Sequence, residues 1–96
     1  MAKARLTSRS KKTRATFSLE TPTAQEVILC GDFNNWNIKT HPMTKDKSGA
    51  WRKTLMLSPG RYEYKFLVDG RWRNDPKNDQ TCPNPFGTRN NVLTIS

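Results

Sequence analysis

Arg61-Tyr62-Glu63-Tyr64-Lys65-Phe66-Leu67-Val68-Asp69-Gly70-Arg71-Trp72 reads as a strand, a tight turn and the start of a returning strand. Side chains alternate between the two faces of an extended backbone. That alternation puts Tyr62, Tyr64, Phe66 and Val68 on one face and predicts a strand over 61–68. Asp69-Gly70 is a two-residue hairpin signal, and residues 71–73 form the return. On this reading Asp69 and Gly70 serve the turn itself.

Outward from this hairpin the same pattern repeats in short pieces. Residues 16–19 alternate with Phe17 and Leu19 on one face, and 26–30 are a short apolar run closed by Gly31. Residues 51–57 carry Trp51, Leu55 and Leu57 on one face, which assigns Trp51 to the core. Ser58-Pro59-Gly60 makes the next turn, because proline fixes φ and glycine permits φ > 0. Residues 91–95 supply a last strand, and the stretches 34–49 and 74–90 read as loops. No stretch sustains a helical period, and there is no internal repeat. About six to eight short strands over some eighty residues predict an all-β, immunoglobulin-like antiparallel β-sandwich.

Length and charge divide the chain. Its 96 residues make one domain with a small core. Of the net charge of +9, six positive charges (Lys3, Arg5, Arg9, Lys11, Lys12 and Arg14) fall in residues 1–14, which contain no acid. With a mean hydropathy of -0.87, this predicts a basic, disordered arm over 1–14 and a sandwich domain over 15–96. The arm is read as a solvated tail or as a weak, non-specific contact for a polyanion. No run has the length of a membrane span, and no apolar leader follows Met1. Cys30 lies in an apolar strand, where a reduced thiol is the usual state. With Cys82 as the one other cysteine, this predicts a cytoplasmic protein with free thiols.

Enzyme signatures are missing. His41 is the single histidine, followed by Pro42, and neither cysteine stands in a nucleophile motif. There is no Cys-x-x-Cys pair, no second histidine for zinc, and no glycine-rich phosphate loop. A chain this small has no room for a deep cleft around a carboxylate pair. The expectation is a non-catalytic protein with no metal and no cofactor.

What remains is a set of polar and aromatic residues at strand ends. Gly31-Asp32-Phe33-Asn34-Asn35-Trp36 and the segment ending at Trp72 each place a tryptophan just past a strand, among turn-forming polar residues. Each tryptophan is read as a rim residue capping the core or as a flat apolar face for a ligand such as a sugar ring. Phe33 reads as an inward anchor for its turn. Lys65 lies on the face opposite Tyr64 and Phe66, either solvated or donating to hydroxyls. Asn90 and Asn91 form a turn before the last strand or read hydroxyls bidentately.

Gly31-Asp32-Phe33-Asn34-Asn35-Trp36-Asn37, Gly60 to Gly70, Trp72, Asp75-Pro76 and Phe86-Gly87-Thr88-Arg89-Asn90-Asn91-Val92 resemble the family 48 carbohydrate-binding modules. That family includes the glycogen-binding domain of the AMP-activated protein kinase β subunit and the early-set domains of isoamylases and branching enzymes. The pieces stand in the family's order and spacing and cover residues 15–96. The resemblance implies an antiparallel β-sandwich that binds α-1,4-linked glucans such as glycogen, starch or maltooligosaccharides. It implies stacking of glucose units on Trp36 and Trp72, donation by Lys65, an apolar contact from Phe86, and hydroxyl reading by Thr88 and Asn90. At Phe86 the chain departs from the leucine of the kinase module. Cys82-Pro83-Asn84-Pro85 has no family counterpart, and its prolines stiffen the loop. The partners expected are an α-glucan and a glucan-metabolising enzyme in trans, with no membrane. The alternative is a small scaffold or regulatory subunit docked on such an enzyme or on a kinase.

Overall fold

A computed structural model describes residues 11–96. The strands are β1 (Thr13–Glu20), β2 (Val27–Gly31), β3 (Thr44–Lys45), β4 (Ala50–Leu57), β5 (Gly60–Val68), β6 (Arg71–Arg73), β7 (Thr81–Pro83) and β8 (Arg89–Ile95). One 3-10 turn, Asp32–Asn34, follows β2. All pairings are antiparallel and fall into two sheets, β1-β4-β3 and β2-β5-β8-β7. The chain is therefore an all-β sandwich of the immunoglobulin-like type, as the alternation predicts.

β5 is the spine of the larger sheet. Residues 64–68 pair with β2 on one edge. The other edge is shared, with residues 60–64 paired to β8 and 66–68 to β6. The face of β5 carrying Tyr64, Phe66 and Val68 meets Phe17 and Leu19 of β1 and Trp51 and Leu57 of β4. The Phe17 and Tyr64 rings meet edge to face at 5.0 Å, an arrangement that suits the ring quadrupoles. Trp51 is a core residue, and its Nε1 donates to the Thr21 carbonyl at 3.1 Å.

The β5–β6 hairpin follows from its turn residues. Asp69 and Gly70 have φ of 47° and 82°, as a two-residue type I′ turn requires. Asp69 also stitches the turn to the start of β2. Its Oδ1 accepts from the backbone N–H of Gln25 at 2.9 Å and of Glu26 at 2.8 Å.

Three features differ from the sequence reading. β3 and the 3-10 turn sit inside 34–49 and its border, and β7 sits inside 74–90. β3 is two residues long and carries no alternation to detect. β7 ends in Pro83, which is tolerated because β7 is the edge of its sheet. Third, β1 begins at Thr13, so Thr13 and Arg14 of the basic stretch pair with Leu57 and Met56. Lys11 and Lys12 precede β1 without regular structure, and residues 1–10 of the predicted arm lie outside the described residues.

The segment from Asn74 to Gln80 is held from beneath by Asn91, which is fully buried. The Asn91 Oδ1 accepts from the Asp75 backbone N–H at 2.7 Å, and its Nδ2 donates to the Asn78 carbonyl at 2.8 Å. The Tyr64 hydroxyl donates to Asp75 Oδ2 at 2.8 Å. Burial, the largest cause, pushes the Tyr64 phenol well above its usual range and keeps it a donor. Asn91 is thus a structural clasp, whereas Asn90 faces the other way. Both thiols are free, and burial pushes that of Cys30 up to about 11. Among the described residues no helix is long and apolar enough to cross a membrane.

Candidate functional site

The outer face of the larger sheet carries the site. Glu63, Lys65 and Leu67 point away from the core, in alternation with Tyr64 and Phe66. Trp72 pairs with Leu67 in register and so shares that face. Val92 pairs with Glu63, which puts Asn90, two residues earlier, on the same face.

Trp36 reaches this face through a tight turn. Asn34 organises it, accepting from the Gly31 N–H at 3.2 Å and donating to the Leu29 carbonyl at 3.0 Å. The Asn34 Nδ2 also lies 2.8 Å from His41 Nδ1. Asn35 and Trp36 then take φ of 55° and 58°. Asparagine tolerates this left-handed region, whereas for tryptophan it is strained by about 1–3 kcal/mol. The Trp36 N–H donates to the Gly31 carbonyl at 2.9 Å, and its Nε1 donates to Asp32 Oδ1 at 3.0 Å. The other oxygen of Asp32 accepts from the Glu63 N–H at 2.8 Å, tying the turn to β5. Phe33 is the inward anchor, packed against Phe17 at 5.6 Å and Tyr62 at 6.1 Å.

The two indoles end 6.2 Å apart with their planes at 68°. They form an angled wall, with Trp72 still 47% exposed. Opposite stands the loop before β8, whose tip carries Phe86 at 87% exposure. Asn84 closes that loop. Its backbone N–H donates to the Thr88 carbonyl at 2.9 Å, and its side-chain oxygen accepts from the Phe86 N–H at 2.9 Å. Trp36, Trp72 and Phe86 line one cleft of about 700 Å³.

The floor is polar. Lys65 is only 7% exposed, and its Nζ donates to Thr88 Oγ1 at 3.1 Å. An ammonium has three donors, so two remain beyond that bond. Asn90 Nδ2 donates to Glu63 Oε1 at 2.9 Å, and Arg61 Nη1 donates to Glu63 Oε2 at 2.9 Å. The Asn90 contact first, then Arg61 and the Cys82 thiol, hold the Glu63 carboxyl below its usual range.

Trp36, Lys65, Trp72, Phe86, Thr88 and Asn90, the six residues singled out from the sequence, all line this cleft. Glu63, Asn84 and Pro85 line it as well and were missed. Glu63 had a signal, standing two residues before Lys65 on the same strand face. Asn84 had a weaker one, an asparagine between two prolines at a turn. Among the described residues no group of three or more His, Cys, Asp or Glu is placed to hold a metal ion. Chemically the described residues of the cleft offer apolar ring faces, a row of donors and one carboxylate, with no nucleophile–base pair among them.

Comparison with known proteins gives a consistent picture. The family described as the glycogen recognition site of AMP-activated protein kinase matches residues 11–96. Protein FLOURY ENDOSPERM 6, chloroplastic, of Oryza sativa subsp. japonica is 44% identical over 76% of this chain and 13% of its own length. Protein PTST homolog 2, chloroplastic, of Arabidopsis thaliana is 39% identical over 93% of this chain and 16% of its own. The 5'-AMP-activated protein kinase subunit beta-1 of Sus scrofa is 36% identical, covering 90% of this chain and 67% of that sequence. The chain thus spans less than a fifth of the plant relatives' length. Among solved structures, the maltogenic amylase from S. marinus shares the fold with a TM-score of 0.75 at 20% identity, over 88% of this chain and 14% of the amylase.

Proposed function

Since the chain belongs to the family 48 carbohydrate-binding modules, the non-catalytic family of the glycogen recognition site of AMP-activated protein kinase, we propose that it binds α-1,4-linked glucans such as glycogen, starch or maltooligosaccharides. Trp36 and Trp72 are the stacking faces, Phe86 the apolar contact, and Lys65, Thr88 and Asn90 the hydroxyl readers.

One observation carries this reading: a nearly buried lysine with two uncommitted donors lies in the same cleft as an angled pair of tryptophans. An ammonium that holds one of its three possible hydrogen bonds is short of acceptors, so the cleft is arranged for a ligand that supplies oxygens. The aromatic walls call for a ligand that also presents C–H faces. A sugar ring does both. An angled wall suits a chain that turns between successive rings better than a flat ribbon. Each hydroxyl exchanges water for protein at a net gain of about 1 kcal/mol, so a short oligosaccharide binds modestly and a polymer gains by multivalency.

A second reading has the module docking on a glucan-metabolising enzyme or a kinase in trans. It is favoured by relatives that are β subunits of a kinase and by a structural neighbour that is an amylase. Two free thiols fit a reducing compartment such as the cytoplasm.

The test is a tryptophan-fluorescence titration with maltoheptaose at high salt, which screens the basic residues. A saturable spectral shift is expected, with binding about tenfold weaker in Trp36→Ala or Trp72→Ala, the scale of one aromatic contact. No response up to millimolar sugar would leave docking as the better reading.

A further inference from the structure

Asn84 sets the hydrogen-bond directions of the cleft. Its Oδ1 accepts from the backbone N–H of Phe86 at 2.9 Å and of Thr88 at 3.2 Å. A backbone N–H can only donate, so the amide has one allowed orientation: oxygen toward the loop, nitrogen toward the cleft. That nitrogen donates to Thr88 Oγ1 at 2.7 Å and to Asn90 Oδ1 at 2.9 Å. All of its donor and acceptor sides are engaged.

The consequences pass to its neighbours. The Thr88 hydroxyl oxygen already receives Lys65 Nζ at 3.1 Å. A hydroxyl has two lone pairs and one proton, so with both lone pairs filled only the proton is left for a ligand. The Asn90 carbonyl accepts from Asn84 with one of its two lone pairs. Its Nδ2 gives one N–H to Glu63 Oε1 at 2.9 Å, which leaves the other N–H. Lys65 keeps two N–H donors. Glu63 is the one carboxylate among the described residues lining the cleft. It has about four acceptor sites and is held by Asn90, Arg61 and the Cys82 thiol, so it can still accept one more.

We infer that Asn84 is a positioning residue that fixes Thr88 as a hydrogen-bond donor toward the ligand and holds the Asn90 amide with one N–H free for it, with Glu63 as the carboxylate that accepts from the ligand. This rests on the reading of the cleft as a glucan site and gives that site a polarity. The recognised unit is a vicinal diol whose oxygens accept from the row Lys65, Thr88 and Asn90, and one of whose hydroxyl protons goes to Glu63.

The experiment is calorimetric titration of the full chain with maltoheptaose. Asn84→Asp keeps an oxygen for the Phe86 and Thr88 N–H groups but puts a second oxygen where the amide nitrogen was. Thr88 then turns its proton toward that oxygen, away from the ligand, and the Asn90 carbonyl faces a carboxylate. The expected result is binding about fivefold weaker, one lost donor, with a melting temperature lowered only by the lost Asn84–Asn90 hydrogen bond. Thr88→Val keeps the shape and removes the proton, and it should bind about fivefold weaker. Thr88→Ser returns the proton and should recover most of that loss, which a purely steric role would not produce. Adding Thr88→Val to Asn84→Asp should cost less than Thr88→Val alone, because the donor is already turned away. A folded Asn84→Asp protein that binds like the unsubstituted one overturns the inference. So does a Thr88→Val protein that loses nothing, and the threonine pair decides the matter alone if Asn84→Asp does not fold. Failure of the unsubstituted chain to bind maltoheptaose defeats the glucan reading itself and takes this inference with it. Undiminished binding in the variants defeats this inference only.

Discussion

Gly31 shows how closely the fold and the cleft are joined at a single residue. Its φ of -178° is ordinary extended backbone, so conformational freedom is not what glycine supplies there. Space is. A Cβ at Gly31 would lie 2.5 Å from the Glu63 carbonyl oxygen and 2.9 Å from the Tyr64 Cβ, so β2 and β5 would have to part. Gly31→Ala is expected to cost about 3 kcal/mol, the upper end for overpacking, or on the order of 15 °C in Tm for a domain this size. Thermal denaturation checks this, and an unchanged midpoint would refute it. The glycine was legible in the sequence as the end of a strand, but its reason was not, since the crowding comes from a strand more than thirty residues away. The site residues divide the same way. Trp36, Lys65 and Trp72 were legible from strand alternation and from aromatic residues at strand ends. Phe86, Thr88 and Asn90 were legible through the family resemblance. The roles of Asp32, Glu63 and Asn84 were not, whatever signal their positions carried, because each acts through hydrogen bonds that exist only once register and turn geometry are set.

The element that carries Trp36 has its own sensitivity, and it runs through His41. The Asn34 side chain holds the turn by donating to the Leu29 carbonyl, and its Nδ2 lies 2.8 Å from His41 Nδ1. An amide nitrogen cannot accept, so His41 Nδ1 must be the unprotonated nitrogen of a neutral ring. Burial first and the charge of Lys53 second lower its pKa from the ordinary 6.5. The sign follows. The unfolded chain binds the proton more readily than the fold does, so stability rises with pH and is fully present above about 6.5. It is lost as pH falls below that value toward the lowered folded pKa. Melting temperature should therefore decline between about pH 7 and pH 5, and this decline should shrink in His41→Gln, whose side-chain oxygen can still accept from Asn34. An equal decline in both proteins would remove His41 from the account. The strands themselves were largely readable, because an alternating face of four or more residues is a strong signal. β3 and β7 were not. A two-residue strand and a three-residue edge strand ending in proline exist because neighbours pair with them, not because of their own pattern.

At the scale of the molecule, two features of different physics coexist: the cleft proposed to take a neutral glucan and an excess of positive charge concentrated near one end of the sequence. β1 begins at Thr13, and Arg14 stands opposite Met56 in register. The strand begins two residues before the boundary that composition drew after residue 14, and cutting there would remove the first two residues of β1, an edge strand of the smaller sheet. Removing residues 1–10 deletes Lys3, Arg5 and Arg9 and leaves 14 basic residues against 8 acidic ones, a net charge of +6 in place of +9. Neutral-sugar binding does not draw on that charge, so maltoheptaose affinity and Tm should be unchanged by the truncation and nearly flat in salt. Duplex DNA, used as a polyanion probe, should behave in the opposite way. Its affinity should fall steeply with salt, and truncation should lower the slope of log K against log salt by up to about three, roughly 0.9 per phosphate-contacting charge. A truncated chain with the same DNA slope would place the polyanion contact on the sandwich itself, where Lys11, Lys12 and Arg14 remain exposed. A truncated chain with weakened sugar binding would mean that the two features are coupled, and the separation of charge from cleft would then fail.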